Sequence, residues 1–175
     1  MDLDPTIAHL STLFADFGVE WCIAGAIAAN AYRPPRDTTD LDLVVQIPAP
    51  QYPSIAAALG RAGWRTTRVS PEGDYPDVVR LAHDRFFPTD LLLSKTAYQR
   101  EALARARPVG PHAVRVLTVE DVIVHKLIAY RYRDRDDIVE ILRAGVPLDY
   151  AYLERWAREW EILDRWQELQ VESGR

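Results

Sequence analysis

The apolar residues at the start of the chain recur at helical spacing. Between residues 5 and 17 they are Ile7, Leu10, Leu13, Phe14 and Phe17. This pattern predicts an amphipathic helix, because residues three and four positions apart share one face of a helix. The apolar run 21–24 that follows predicts a strand, Gly25 a tight turn, and the alanine-rich stretch 27–32 a second helix.

The sequence Thr-Asp-Leu-Asp-Leu-Val-Val at residues 39–45 predicts another strand, because acidic and apolar residues alternate at its start. The turn-rich stretch 70–74 is typical of a connection between two strands. Further strands are predicted at 64–69, 78–82, 86–93 and 113–116, and further helices at 54–62 and 97–104.

The C-terminal third of the chain is predicted to be helical. Thr118 is followed by an acid three residues later, which matches a helix capping box and predicts a helix that starts there and runs to Tyr130. A second helix follows the charged stretch 131–137. In the tail 149–169, apolar residues lie on roughly one helical face, which favours packing against the rest of the protein. Base stacking by Trp156 and Trp166 is the alternative.

These elements predict an α/β (α+β) protein with a small mixed sheet flanked by helices. We expect residues 1–117 to form the α/β core and residues 118–175 to form a helical segment packed on it, within one compact domain. The chain has 175 residues, of which 48% are hydrophobic and 27% charged, and this balance is typical of a globular protein with a sizeable core.

Composition also narrows the classes of function. No apolar run is long enough to predict a membrane span, and the single cysteine, Cys22, predicts a reducing, cytoplasmic location without an internal disulfide. The net charge of −5 argues against nucleic-acid binding by overall charge, although a local basic patch remains compatible with it. His83, His112 and His125 show no zinc-ligand spacing with the cysteine.

Asp40 and Asp42 are the most informative candidates for chemistry. Side chains alternate faces along a strand, so both carboxylates are predicted to lie on one face. Carboxylate oxygens are the ligands that Mg²⁺ prefers. Asp90 is the candidate for a third metal ligand, because an acid in the apolar run 86–93 is costly to bury without a cation. Asp84, in a predicted turn, is the weaker alternative, and a solvated edge strand explains the pair without any metal.

The order of strand, glycine turn, helix and Asp-x-Asp strand resembles the nucleotidyltransferase fold of the polymerase-beta superfamily. That family carries a Gly-Gly or Gly-Ser turn, whereas this chain has Gly25-Ala26. The missing serine hydroxyl implies weaker binding of the triphosphate at this turn. The resemblance implies that the turn and Thr39 belong to the nucleotide site. It also implies that Arg36 contacts the nucleotide or an acceptor phosphate. Two Mg²⁺ ions would be held by Asp40, Asp42 and Asp90.

The block 118–142 is similar to the C-terminal element of the AbiEii/MenT-like toxin branch of this superfamily. The resemblance implies that Lys126 reaches the nucleotide phosphates and that Asp134 and Asp137 orient Lys126 or Arg133. Helix capping explains Asp134 equally well. Because Lys126 lies on an otherwise apolar helix face, we expect its ammonium to face the carboxylate-lined cleft, with Asp134 or Asp137 as its partner when no triphosphate is bound.

The implied reaction is transfer of a nucleoside monophosphate from a nucleoside triphosphate to an acceptor hydroxyl. In the toxin branch the acceptor would be the 3′ end of a tRNA, and a cognate antitoxin would be a partner. Two alternatives remain open: an antibiotic nucleotidyltransferase, which needs an acidic pocket for a cationic drug, and a non-catalytic binding module in which Ala26 marks a lost triphosphate site.

Overall fold

The computed structural model describes residues 3–69, 75–110 and 113–174, and its internal contacts divide the chain into two units. Unit 1 comprises residues 1–23 and 38–104, and unit 2 comprises residues 24–37 and 105–175. The predicted turn at 70–74 and His112 lie outside the described residues. The predicted boundary at residue 117 stays a prediction.

The helices and strands follow the predicted order. The helices are α1 (Leu3–Asp16), α2 (Gly25–Ala29), α3 (Tyr52–Arg61), α4 (Ala97–Arg105), α5 (Val119–Ala129), α6 (Tyr132–Arg143), α7 (Tyr150–Glu159) and α8 (Leu163–Glu172). The strands are β1 (Glu20–Ile23), β2 (Leu41–Gln46), β3 (Arg65–Arg68), β4 (Val78–Ala82), β5 (Thr89–Leu93), β6 (Arg107–Val109) and β7 (Val114–Val116). A single 3-10 turn, Ala49–Gln51, precedes α3. Strand β6 was not expected from the sequence, because its three residues include a proline and no apolar alternation.

Unit 1 is built on a mixed sheet whose strands lie in the order β3-β4-β5-β2-β1. Strands β2 and β5 are parallel, and the other neighbours are antiparallel. One face of the sheet is apolar and buried, with Leu43 and Leu91 paired across β2 and β5. Helix α1 contacts this face, as shown by the ring of Phe14, which lies 6.3 Å from that of Trp21 on β1. The predicted α/β fold class is confirmed.

Unit 2 packs around α5, which contacts α2, α6 and α7, while α8 contacts α6 and α7. Strands β6 and β7 form an antiparallel hairpin. The start of α5 is as predicted: the Thr118 hydroxyl oxygen accepts a hydrogen bond from the backbone N–H of Asp121 and donates one to its carboxylate. This cap marks the residue at which α5 begins.

The tail, predicted to carry its apolar residues on roughly one helical face, contains two helices, α7 and α8, and Leu153, Trp166 and Leu169 are buried. Glu161 lies between the two helices with φ of 55°, a left-handed conformation that ends a helix. Trp166 on α8 is fully buried, so packing rather than base stacking explains this tryptophan. Within the described residues, none of the helices combines the length and the apolar character needed to cross a bilayer.

Candidate active site

In unit 1 the candidate metal ligands lie beside each other on the sheet. Asp42 on β2 and Asp90 on β5 are direct partners in the parallel register, so the two side chains project from the same face. The prediction that Asp40 lies in the same strand is wrong: Asp40 precedes β2, which begins at Leu41, whose N–H donates to Pro88 O. The Asp40 carboxylate is held instead by the Thr38 hydroxyl, at 2.9 Å. Thr39 is exposed.

Arg80, which the sequence analysis did not single out, binds Asp90 with both ends of its guanidinium. Its Nε donates to Asp90 Oδ1 at 2.8 Å and its Nη2 to Oδ2 at 2.7 Å. Arg80 is the cross-strand partner of Asp90 on β4, so Asp42, Asp90 and Arg80 form one row across three neighbouring strands. The hydrogen bonds to Asp90 and its charge raise the pKa of Arg80, and the charges of Asp40 and Asp42 add to this effect.

The chemistry of these donors fits a hard divalent cation, because all three are carboxylates on or beside one row. Within residues 3–69, 75–110 and 113–174, however, no three acidic, histidine or cysteine side chains converge on a common metal position. Both oxygens of Asp90 face Arg80. The weaker alternative, Asp84, lies in the connection between β4 and β5 with 83% of its side chain exposed, paired with Arg65. The metal roles of Asp40, Asp42 and Asp90 stay predictions.

In unit 2, one buried carboxylate, that of Asp137, meets three cations. Lys126 Nζ lies 2.6 Å from its Oδ2, and Arg36 binds both oxygens at 2.9 and 2.8 Å. Arg33 Nη2 lies 2.9 Å from Oδ1. Burial raises the pKa of Asp137, but the hydrogen bonds from Arg36 and Lys126 outweigh it and hold this pKa at about 2. We call these four residues the Asp137 cluster.

Lys126 is only 5% exposed, and its predicted pairing with acids is confirmed. Besides Asp137, its Nζ contacts Asp134 Oδ1 at 3.2 Å. Both interpretations of Asp134 hold, because its Oδ2 also accepts the backbone N–H of Arg131 at the start of α6. Burial raises the pKa of Asp134, while Arg131 and Lys126 lower it by a larger amount. Whether Lys126 reaches nucleotide phosphates stays a prediction.

Arg33 is the second residue that the sequence analysis missed. Its side chain is buried, its Nη1 donates to Pro34 O at 2.7 Å, and its Nε has no hydrogen-bond partner among the described residues. A cleft of about 420 Å³ opens here, lined by arginines that include Arg33 and Arg36 and by acids that include Asp137 and Glu140. The only sequence signal for Arg33 is its position three residues before Arg36.

The glycine turn is present as predicted. Gly25 has φ of 61°, which is readily available only to glycine, and it is the first residue of α2. Ala26 is buried and supplies no hydroxyl at the position where the resembling family has glycine or serine. Any contact with a phosphate at this turn therefore has to come from backbone N–H groups.

His125, next to Lys126 on α5, gives a pH prediction. Burial, with the charge of Lys126 adding, lowers its pKa from 6.5 to about 4. Between these values the unfolded chain binds a proton that the folded protein does not, so stability is expected to fall as the pH drops from 6.5 to 4. The contribution of this residue is about 3 kcal/mol.

The test is urea unfolding at several pH values for the wild-type protein and for His125→Gln. Because aspartates and glutamates also titrate in this range, the informative quantity is the difference between the two pH profiles. The variant should lose less stability below pH 6.5 than the wild type. Parallel profiles would contradict the assignment of a buried neutral His125.

Comparison with known proteins identifies the fold. No protein-family model matches the sequence, and no curated protein matches it either. Among solved structures, the solution structure of the antibiotic-resistance factor ANT(2″)-Ia is 15% identical with a TM-score of 0.59, covering 96% of this chain and 95% of that one. The lincomycin-bound lincosamide antibiotic adenylyltransferase LnuA is 12% identical with a TM-score of 0.55, covering 79% and 95%.

An antigenic nucleotidyltransferase-like protein from Paracoccidioides brasiliensis is 15% identical with a TM-score of 0.55, covering 95% of this chain and 89% of that one. Identities this low establish the fold and leave the activity and the branch to be argued from the residues. Membership of the AbiEii/MenT branch stays a prediction. The chain has a nucleotidyltransferase fold, as its Gly25 turn and Asp-x-Asp strand predict.

Proposed function

We propose that this protein is a metal-dependent nucleotidyltransferase that moves a nucleoside monophosphate from a nucleoside triphosphate to an acceptor hydroxyl. The acceptor oxygen forms a bond to the α-phosphorus, the bond from that phosphorus to the bridging oxygen breaks, and pyrophosphate leaves. The observation that carries the proposal is the row of Asp42 and Asp90 on neighbouring parallel strands of a nucleotidyltransferase fold, with Asp40 two residues before Asp42.

Each proposed residue has a role that suits its chemistry. Asp40, Asp42 and Asp90 would hold Mg²⁺, which supplies charge neutralisation on the phosphates. Asp90 would also take the proton of the acceptor hydroxyl as the new bond forms. Gly25 lets backbone approach the triphosphate, and Lys126 neutralises its charge as a point charge on a flexible stem. Catalysis of this kind depends on positioning and electrostatics.

Three residues of the Asp137 cluster support a role in anion binding. Arg33, Arg36 and Lys126 all contact the carboxylate of Asp137, and further acids such as Glu140 line the adjoining cleft. Lys126 is also shared with Asp134, which has Arg131 as a second cation. A phosphate group in the cleft would offer hydrogen-bond acceptors to guanidinium groups that line it, such as that of Arg36.

The finer proposal, a toxin of a toxin-antitoxin or phage-defence pair that modifies tRNA 3′ ends, is supported by the resemblance of residues 118–142. An antibiotic nucleotidyltransferase is the second candidate, and one observation favours it: of the similar structures, one is named a lincosamide antibiotic adenylyltransferase and another an antibiotic-resistance factor. The acids that line the cleft beside Asp137 would suit a cationic drug. A non-catalytic module is the third, because Ala26 has no hydroxyl.

The experiment is an incubation of the protein with Mg²⁺ and each α-labelled nucleoside triphosphate in turn. Total tRNA is the acceptor in one series, and an aminoglycoside and a lincosamide are the acceptors in a second. Label on RNA supports the tRNA acceptor, and label on a drug supports the second candidate. No transfer to any acceptor, together with no triphosphate binding, would overturn the proposed activity. Asp42→Asn is the negative control in every series.

A further inference from the structure

The position of Asp90 between two different neighbours is the starting observation. Strand β5 lies between β4 and β2, and Asp90 is the direct cross-strand partner of Arg80 on one side and of Asp42 on the other. Direct partners on neighbouring strands are about 5 Å apart at the backbone, so the Asp90 carboxylate is within reach of either neighbour. Which side it faces depends on the local charges.

We propose that Arg80 is a metal-responsive positioning residue, which holds Asp90 in the metal-free protein and loses it when a divalent cation binds. This inference rests on the proposed function, because it takes Asp42 and Asp90 as metal ligands. Without a cation, the carboxylates of Asp42 and Asp90 repel each other, and Asp90 pairs with Arg80 through both oxygens. A cation bound by Asp42 attracts Asp90 towards β2 and competes with the guanidinium.

The geometry of the pair places Arg80 in competition with a cation for Asp90. A carboxylate that accepts two hydrogen bonds from one guanidinium lies in the plane of that group, with both oxygens directed at it. A carboxylate that shares a metal with Asp42 has to direct at least one oxygen to the other side of β5. Binding of a cation by Asp90 and Asp42 together therefore competes with the paired hydrogen bonds from Arg80 and is expected to lengthen at least one of them.

The exposure of Arg80 keeps the free energy needed to separate it from Asp90 small. The Arg80 side chain is 58% exposed, whereas that of Asp90 is 13% exposed. An arginine released from Asp90 therefore stays in water, and an ion pair with one exposed partner is weak. Competition from Arg80 lowers metal affinity in the absence of nucleotide, so metal is expected to enter mainly with a triphosphate, whose phosphates supply further ligands.

The first test is a Mn²⁺ titration of the nucleotide-free protein, with free Mn²⁺ measured by electron paramagnetic resonance. Arg80→Gln removes the charge and keeps a hydrogen-bonding side chain. Arg65→Gln is the matched control, because Arg65 is an exposed arginine of the adjacent strand β3, paired with the exposed Asp84. Both variants lose one positive charge, so Arg65→Gln reports the effect of net charge, and the Asp90→Asn background reports the direct field of Arg80 on a cation at Asp42.

Arg80→Gln should bind Mn²⁺ about three- to tenfold more tightly than the wild type, while Arg65→Gln changes affinity by less than about twofold. Placing Arg80→Gln in an Asp90→Asn background should abolish its effect on affinity. A second readout follows the side-chain Nε–H resonance of Arg80, assigned by its absence from Arg80→Gln. Mg²⁺ should shift or broaden this resonance in the wild type and leave it unchanged in Asp42→Asn.

The outcomes separate the inference from the proposed function. Equal Mn²⁺ affinities for Arg80→Gln and Arg65→Gln, with binding abolished by Asp42→Asn, would overturn the role of Arg80 and leave the metal site standing. Tighter Mn²⁺ binding by Arg80→Gln that disappears in the Asp90→Asn background supports the inference, even where the wild type binds Mn²⁺ too weakly to measure. No Mn²⁺ binding by any variant, with or without a non-hydrolysable triphosphate, would overturn the metal site and the inference with it.

Discussion

Asp42→Asn is expected to lower nucleotide transfer by about a thousandfold or more, because a metal site that stabilises the transition state contributes several kcal/mol. Asparagine keeps the shape of the side chain and removes the charge that a metal needs. Asp42 is half-buried beside a second acid, on the face of β2 opposite to Leu41 and Leu43. The substitution removes the repulsion from Asp90 and the attraction to Arg80 together, so the free energy of unfolding should change little.

The measurement is initial transfer rate against triphosphate concentration, with urea unfolding of the same preparation. Asp84→Asn is the matched control, since it is the same substitution in the same unit at an exposed carboxylate outside the sheet. Asp84→Asn should keep wild-type transfer within about twofold. Full activity in Asp42→Asn would remove the Asp-x-Asp strand from the proposed chemistry.

The face shared by Asp42 and Asp90 was predictable because alternation along a strand is local and the apolar residues around both acids bury the opposite face. The contact of Arg80 with Asp90 was not predictable from the sequence. It depends on the antiparallel register of β4 against β5, and that register is set by turns and by packing that no local pattern records. The start of the strand at Leu41 depends likewise on a hydrogen bond to Pro88, which is distant in sequence.

Unit 2 shows the same division between local and long-range information. The Thr118 cap and the need of Lys126 for an acidic partner follow from residues within one or two helical turns of each other. The contact of Arg36 with Asp137 joins residues 101 positions apart, so the sequence offered no means of placing it. The break between α7 and α8 rests on a left-handed Glu161, a conformation that is rare outside glycine and carries no sequence signal.

The contacts of the Asp137 cluster predict different losses of unfolding free energy for two of its members, Asp137 and Lys126. Asp137→Ala would leave Arg33, Arg36 and Lys126 without their common carboxylate, and removal of one partner from a buried ion pair costs about 3–5 kcal/mol. Lys126→Ala is different, because Asp137 keeps both arginines and Asp134 keeps Arg131. We therefore expect Lys126→Ala to lower the free energy of unfolding by only about 1–2 kcal/mol.

Lys126→Ala is expected to lower transfer, measured as kcat/KM, by about a hundredfold, and to weaken triphosphate binding by about tenfold or more, because a buried ammonium neutralises phosphate charge at little reorganisation cost. The measurements are calorimetric binding of a non-hydrolysable triphosphate and urea unfolding. Lys95→Ala is the control: Lys95 is the only other lysine, and it pairs with the exposed Asp77 in unit 1. Unchanged triphosphate affinity in Lys126→Ala would make this lysine a structural partner of Asp134 and Asp137 and favour the non-catalytic alternative.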